Sequence, residues 1–133
     1  MQTVSTYVPR DAETCWRVFI DIPRLMQWVP GLCHAEVITK ERGLPSEVHF
    51  QFAQSLAYTL VYSYDRANRE IHWEPKLGRR EGVSGWVRFE PFEGGTRLTY
   101  ALAHGDGRGA AERELGDLQR LVDAYATWLT TTT

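Results

Sequence analysis

The C-terminal stretch at residues 107–130 constrains the fold more than any other part of this sequence. Apolar residues recur there at steps of three and four, a spacing typical of one face of an α-helix. The stripe consists of Leu115, Leu118, Val122, Tyr125 and Leu129, and it is widened by Ala111, Leu121 and Trp128. A helix of roughly two dozen residues is about 35 Å long, because each residue adds ~1.5 Å. A rod of this length predicts a large apolar partner elsewhere in the chain.

The composition is that of an ordinary globular domain. The 133 residues are 43% hydrophobic and 24% charged, and we expect all of them, residues 1–133, to form one domain. The formal charge of -2 argues against a general binder of nucleic acid or of acidic membranes, because both partners require a basic surface.

The N-terminal residues lack the charged and apolar regions of a signal peptide. No apolar run approaches the ~20 residues that a membrane span requires. We therefore expect a cytoplasmic protein without a membrane span. The two cysteines, Cys15 and Cys33, are then expected to be reduced. Their contexts do not suit a metal ribbon, and we predict that both are small buried hydrophobic residues.

The first thirty or so residues predict one strand and two short helices. β-branched and aromatic residues alternate at 3–8, and Pro9 ends this strand. Asp11 is a typical N-cap for the helical spacing that follows it. Pro23 interrupts that helix before a second short turn, and the Pro-Gly pair at 30–31 closes the arm.

Alternating apolar and polar residues then predict six strands before the C-terminal helix. The strands are expected at 33–40, 46–53, 57–65, 70–74, 83–92 and 96–104. Glu93, Gly94 and Gly95 give the strongest turn signal, because glycine accepts the positive φ that a tight hairpin needs. Further hairpin tips are expected at 66–68 and 76–78, so neighbouring strands are antiparallel. The tail at 130–133 is expected to fray.

The alternation divides the predicted sheet into two faces. One face collects large apolar side chains, and we expect the C-terminal helix to cover it. Its members are Val48, Phe50, Phe52, Tyr58, Leu60, Tyr62, Tyr64, Ile71, Trp73, Val87, Phe89, Leu98, Tyr100 and Leu102. The other face carries polar and charged residues, with Trp86 and Val61 as exceptions, and we expect it to meet solvent.

The order of these elements, together with several short motifs, resembles a known fold. The segments WRVFIDIPR at 16–24 and WVPG at 28–31 are similar to the opening signature of the START and birch-pollen-allergen-like (SRPBCC) superfamily. The segments LVYSYD, IHW and GGTRLTY at 60–65, 71–73 and 94–100 look like strands of its polyketide cyclase/dehydrase and lipid-transport branch. The resemblance implies an α+β helix-grip fold, in which a curved antiparallel sheet of about seven strands wraps around the long C-terminal helix, with two short helices after strand one.

The resemblance also implies a cavity between the sheet and the long helix that holds an apolar small molecule. The inward tyrosines agree with this, because a buried phenol needs a hydrogen-bond partner that a ligand or water could supply. The residues predicted to line the cavity and bind the ligand are Trp28, Phe50, Phe52, Tyr58, Tyr62, Tyr64, Trp73, Phe89, Tyr100, Leu118, Val122 and Tyr125. Trp28 and Pro30 are expected to border its mouth. The alternative is that these aromatic residues are packed core.

The signals for catalysis are weaker. In cyclases of this superfamily an inward arginine among aromatic residues is thought to orient the substrate, whereas Arg88 and Arg97 have the outward parity here. Three histidines share the outer face with carboxylates, without a spacing that would fix a metal ion. These residues are His34, His49 and His72, with Glu36, Glu70 and Glu74. We therefore predict no metal site and no cofactor.

Three functional hypotheses follow. The preferred one is binding or transport of a hydrophobic small molecule, such as a lipid, a quinone or a polyketide-like compound, by a monomer or homodimer that binds no nucleic acid. The alternative is a cyclase/aromatase or dehydratase, in which tyrosine hydroxyls and waters move protons. A weaker alternative is a protein-partner-binding module that uses an exposed Trp86 and the arginines at 79–80.

Overall fold

A computed structural model of the protein describes residues 2–53, 57–76, 83–104 and 115–132. The strands are β1 (Gln2–Val8), β2 (Leu32–Glu41), β3 (Leu44–Phe52), β4 (Ala57–Asp65), β5 (Glu70–Pro75), β6 (Val83–Phe92) and β7 (Gly95–His104). The helices are α1 (Ala12–Phe19), α2 (Ile22–Leu25) and α3 (Leu115–Thr132). In this part of the chain, no helix is long and apolar enough to cross a membrane.

The strands form one antiparallel sheet in the order β1-β7-β6-β5-β4-β3-β2. From β2 to β7 each strand is the sheet neighbour of the next one along the chain, so this part is a meander. β1 returns to pair with β7, with Val4 opposite Tyr100. The sheet curves around the helices, and α3 packs mainly against β1. This arrangement confirms the predicted helix-grip fold.

The strand boundaries follow the sequence pattern closely. β4 and β6 have the predicted limits, and the other strands differ by one or two residues at an end. The turn between β6 and β7 is also as predicted, because Glu93 (φ 49°) and Gly94 (φ 81°) both take the left-handed conformation of a tight hairpin. The expected tip at 66–68 is a turn as well. Most of the tip expected at 76–78 lies outside the described residues.

The N-cap at Asp11 is confirmed. Its carboxylate accepts hydrogen bonds from the backbone N–H of Thr14 at 3.0 Å and from the Thr14 hydroxyl at 2.7 Å. These bonds satisfy one of the free N–H groups at the start of α1 and hold the pKa of the Asp11 carboxyl below its ordinary value. α1 therefore leaves β1 at a fixed angle and turns its apolar side, which includes Phe19, towards the sheet.

The long C-terminal helix is present, but its end differs from the prediction. Residues 107–114 lie outside the described residues, and α3 continues to Thr132, two residues beyond the predicted end of the helix at residue 130. The side chain of Arg10 donates a 3.0 Å hydrogen bond to the backbone oxygen of Thr130. The Thr130 hydroxyl also donates to the backbone oxygen of Ala126 at 2.7 Å. The Arg10 bond occupies a C-terminal carbonyl that would otherwise lack a partner within the helix.

The prediction that both cysteines are buried was half wrong. Cys15 is fully buried on α1, and burial raises the pKa of its thiol. Cys33 is exposed. The cause is a register shift in the edge strand β2 between Leu32 and His34, since a bulge turns the following side chains away from simple alternation.

Candidate ligand cavity

A cavity of about 80 Å³ lies between the sheet and the helices. Its wall is built from α1, α2 and the turn before β2, from the inner faces of β3, β4, β5 and β7, and from one residue of α3. The lining residues are Phe19, Leu25, Trp28, Val29, Leu32, Phe50, Phe52, Tyr58, Leu60, Tyr62, Trp73, Tyr100 and Leu121. All are uncharged, so the cavity is an apolar space with a few hydroxyl groups.

Aromatic rings in van der Waals contact make most of the wall. Trp73 lies at its centre, with its ring centroid 5.3 Å from that of Tyr100 and 6.0 Å from that of Tyr62. Phe19 closes the helical side, with its ring 6.4 Å from that of Trp73 and 5.6 Å from that of Trp28. These contacts are within the range of favourable aromatic pairs, so the wall is rigid where the rings meet.

Seven of the twelve residues predicted to line the cavity do so. They are Trp28, Phe50, Phe52, Tyr58, Tyr62, Trp73 and Tyr100. The other five lie in the hydrophobic core outside the wall. They are Tyr64, Phe89, Leu118, Val122 and Tyr125. Trp28 and Val29 belong to the wall, but Pro30, which was expected at the mouth, does not.

The hydroxyls of two of these core residues are occupied elsewhere. Tyr64 donates a 2.6 Å hydrogen bond to the backbone oxygen of Pro45. Tyr125 donates a 2.6 Å hydrogen bond to the backbone oxygen of Cys15. The Tyr125 ring also packs 4.7 Å from Trp28 and 5.4 Å from Phe19, so Tyr125 lies behind the cavity wall and supports it.

Six wall residues were not predicted. Leu60 had been assigned to the inner face but not to the cavity. Phe19, Leu25 and Leu121 come from helices, Val29 from the turn before β2, and Leu32 from the first position of β2. The presence of Leu121 follows from the orientation of α3. Its most buried positions, such as Val122, face β1 and the core, so the half-buried Leu121 at the edge of the stripe reaches the cavity. The strand pattern gives no information on this orientation.

Gly85 on β6 makes room for the central tryptophan. It stands opposite Trp73 across the β5–β6 pair. A Cβ atom at this position would collide with the backbone oxygen of Ala101 and would lie 3.2 Å from Cζ2 of Trp73. Any larger residue would therefore force β6 away from the backbone of β7 and would also crowd the indole at the centre of the wall. The sequence signal that could have predicted this role of Gly85 is a glycine at an inward position of a predicted strand.

Tyr62 and Tyr100 are the two buried phenols in the wall, each 9% exposed. Burial, followed by the nearby hydroxyls of Tyr100, Tyr64 and Tyr58, raises the pKa of Tyr62 well above its ordinary value. Its hydroxyl makes no hydrogen bond within the described part of the chain. Tyr62 is therefore a neutral phenol whose polar atom is available in an apolar cavity.

The outer-face histidines do not converge. The Nε2 atom of His72 lies 2.9 Å from Glu70, and the Nδ1 atom of His49 lies 3.1 Å from the hydroxyl of Thr59. His34 lies 3.9 Å from Glu36. Among the residues that the structure describes, no group of three or more His, Cys, Asp or Glu side chains is placed to hold one metal ion. Each histidine instead has a neighbour of its own on the sheet surface.

Solved structures share this architecture over nearly the whole chain. A START superfamily protein from Mycobacterium smegmatis superposes with a TM-score of 0.80 at 19% sequence identity, covering 99% of this chain and 98% of that one. The chain has the START-like helix-grip fold. Other START-like matches are a STAR-related lipid transfer protein fragment from Xanthomonas axonopodis and the di-domain ARO/CYC StfQ from the steffimycin biosynthetic pathway.

The lipid transfer protein matches with a TM-score of 0.69 at 13% identity, over 96% of this chain and 84% of that one. StfQ matches with a TM-score of 0.70 at 15% identity, over 96% of this chain and 44% of that one. The sequence matches no protein-family model, and none of the curated proteins gives a significant match. At these identities the likeness shows the START-like fold, and function must be argued from the cavity.

Proposed function

We propose that this protein binds a hydrophobic small molecule, such as a lipid, a quinone or a polyketide-like compound, in the cavity between the sheet and the helices. The wall carries the proposal: thirteen uncharged residues, eight of them aromatic, surround the space. Walls of this kind, apolar with a few hydroxyls, are typical of small-molecule sites. The similarity to a STAR-related lipid transfer protein supports the same function.

The size of the cavity requires it to open for a ligand. Its volume of about 80 Å³ is well below the ~300–1,000 Å³ of ordinary ligand pockets. Four wall residues, Val29, Phe52, Tyr58 and Leu121, are only half-buried and form its outer rim. Because buried rings in the centre cannot move without loss of packing, the ligand enters by displacing these rim side chains.

Binding is better supported than catalysis. A cyclase or dehydratase needs an acid or base whose pKa lies near the working pH. The described lining holds no carboxylate, imidazole or amine, and the raised pKa of Tyr62 makes this phenol a poor proton donor or acceptor at neutral pH. The likeness to the ARO/CYC StfQ therefore supports a shared scaffold rather than a shared reaction here.

Partner binding through Trp86 is also less well supported. The indole is half-buried, and the guanidinium of Arg88 lies over it at 5.1 Å. Arg88 is itself held by Glu70 through a 2.6 Å hydrogen bond. An anchor residue of an interface presents its ring to the partner, whereas this ring is covered. The arginines at 79–80 lie outside the described residues.

A titration with N-phenyl-1-naphthylamine, a neutral apolar fluorophore, tests the proposal. We expect saturable enhancement of its fluorescence, with competition by quinones or fatty alcohols. The variant to compare with the parent is Leu121→Trp. A tryptophan at this rim position can fill the cavity with its indole, and no side chain of the core is substituted. Loss of binding with an unchanged melting temperature supports the cavity as the site. Equal binding by parent and variant refutes it.

A further inference from the structure

The polar atoms of the wall specify the ligand beyond its apolar character, and this inference rests on the proposed function. Three tyrosine hydroxyls outside the wall each donate to a backbone carbonyl: Tyr7 to Glu93, Tyr64 to Pro45 and Tyr125 to Cys15. Tyr62 differs, since its hydroxyl has no hydrogen-bond partner in the described residues although the side chain is about nine-tenths buried. A donor without a protein partner in an apolar wall remains able to bond a ligand, so a ligand that supplies an acceptor gains affinity.

A second donor lies in the same wall. The indole N–H of Trp28 is buried and has no hydrogen-bond partner within the described ranges. An indole N–H only donates, and a phenol held in its neutral form donates its proton to an acceptor. Two side chains of the wall, Tyr62 and Trp28, therefore carry a donor that has no protein partner among the described residues.

The same wall excludes a charged group. None of the thirteen described lining residues is a Lys, Arg or His, so the described part of the wall has no cation to neutralise a carboxylate. Moving an unpaired carboxylate from water into an apolar space costs more free energy than a phenol hydrogen bond returns. A fatty acid could only bind with its carboxylate left outside the wall.

We infer that the ligand is an uncharged compound that carries a carbonyl or similar acceptor, and that Tyr62 Oη donates a hydrogen bond to this acceptor while the aromatic wall encloses the rest. Among the three ligand classes considered above, this favours a quinone or a neutral ketone over a fatty acid.

Three compounds of similar shape test this inference: acetophenone, ethylbenzene and benzoate. Acetophenone carries a carbonyl, ethylbenzene has no acceptor, and benzoate carries a negative charge. Each has a single ring, which suits the small cavity. Binding is followed by NMR titration of the folded protein. We expect acetophenone to bind about three- to tenfold more tightly than ethylbenzene, which is the ratio given by one hydrogen bond. Benzoate is expected to bind more weakly than both.

Variants assign the preference to one hydroxyl. In Tyr62→Phe the ratio between acetophenone and ethylbenzene should fall to about one, because acetophenone loses its hydrogen-bond donor. Tyr64→Phe is the matched control, because its hydroxyl is committed to Pro45, and the ratio should persist.

The outcomes separate this inference from the proposed function. If acetophenone and ethylbenzene bind equally in the parent, or benzoate binds most tightly, the inference is wrong and the proposed function stands. If the ratio survives in Tyr62→Phe, the donor is another group and the assignment to Tyr62 is wrong. If neither these compounds nor N-phenyl-1-naphthylamine binds, the proposed function itself is wrong.

Discussion

The hydroxyl of Tyr125 donates a 2.6 Å hydrogen bond to the backbone oxygen of Cys15. This bond joins α3 to α1, although the two residues are 110 positions apart in the sequence. Both side chains are fully buried, and burial raises the pKa of the Tyr125 phenol above its ordinary value, so the hydroxyl remains a donor at neutral pH. The bond fixes the rotation of α3 and with it the choice of Leu121 as the helix's contribution to the cavity wall.

Tyr125→Phe tests this relationship. Removal of one buried hydrogen bond should lower the free energy of unfolding by about 1 kcal/mol. Tyr7→Phe is the control, because its hydroxyl also donates to a backbone oxygen, at 3.1 Å from Glu93, but the side chain is 45% exposed. It should change stability much less. The free energy of unfolding of both variants is measured by urea denaturation. Equal losses of this free energy in Tyr125→Phe and Tyr7→Phe would show that the Tyr125 bond has no special importance.

The buried stripe of α3 gives a second prediction. Val122 is 2% exposed, and an aspartate there would bury an unpaired charge, at a cost of several kcal/mol against a total stability of ~5–15 kcal/mol. We expect Val122→Asp to be unfolded or nearly so by circular dichroism. Thr127→Asp places the same residue on the exposed side of the same helix and should remain folded. A Val122→Asp protein that melts like the parent would contradict the packing of α3.

The sheet was predictable because two independent signals agree for each strand. Alternation gives the strand, and turn residues give its ends, as Glu93 and Gly94 do between β6 and β7. Where the alternation is interrupted, the prediction failed. The bulge in β2 exposes Cys33, and no residue type in that segment marks the extra residue.

The cavity was less predictable than the sheet. Periodicity tells which side of an element is apolar, but it does not tell whether an apolar residue packs against another side chain or faces an empty space. Phe89 and Tyr62 have the same inward parity, yet Phe89 packs against Phe19 at 5.6 Å while Tyr62 lines the cavity. The difference depends on the orientation of α3 and the position of α1, which are set by contacts between residues far apart in the sequence.

A third prediction concerns acid. Because the folded state lowers the pKa of Asp11, it binds fewer protons at this group than the unfolded state. The stabilisation is present above the ordinary pKa of about 3.9 and is lost as the pH falls through the lower folded value. Asp11→Asn keeps a capping oxygen but cannot titrate, so its stability should fall less steeply between about pH 5 and pH 3. Urea midpoints over this range provide the measurement.

The control for this prediction is Asp21→Asn. Asp21 is the N-cap residue of α2, and its side chain makes no capping hydrogen bond. The stability of Asp21→Asn should therefore fall with pH more nearly as that of the parent does. If the two variants flatten the slope equally, the capping bonds of Asp11 to Thr14 are not the source of the effect.

The last prediction concerns the size of the cavity. Leu121 is half-buried at the rim, so Leu121→Ala enlarges the space while it costs less than the ~2–5 kcal/mol of a fully buried leucine. Since the ligand must displace rim side chains to enter a cavity of about 80 Å³, removing one of them should tighten the binding of N-phenyl-1-naphthylamine several-fold. Leu98→Ala is the control, because Leu98 is fully buried and outside the wall. That variant should lose more stability and gain no affinity. Similar gains in affinity for both variants would mean that the reporter binds a loosened core, and the cavity would no longer be supported as the ligand site.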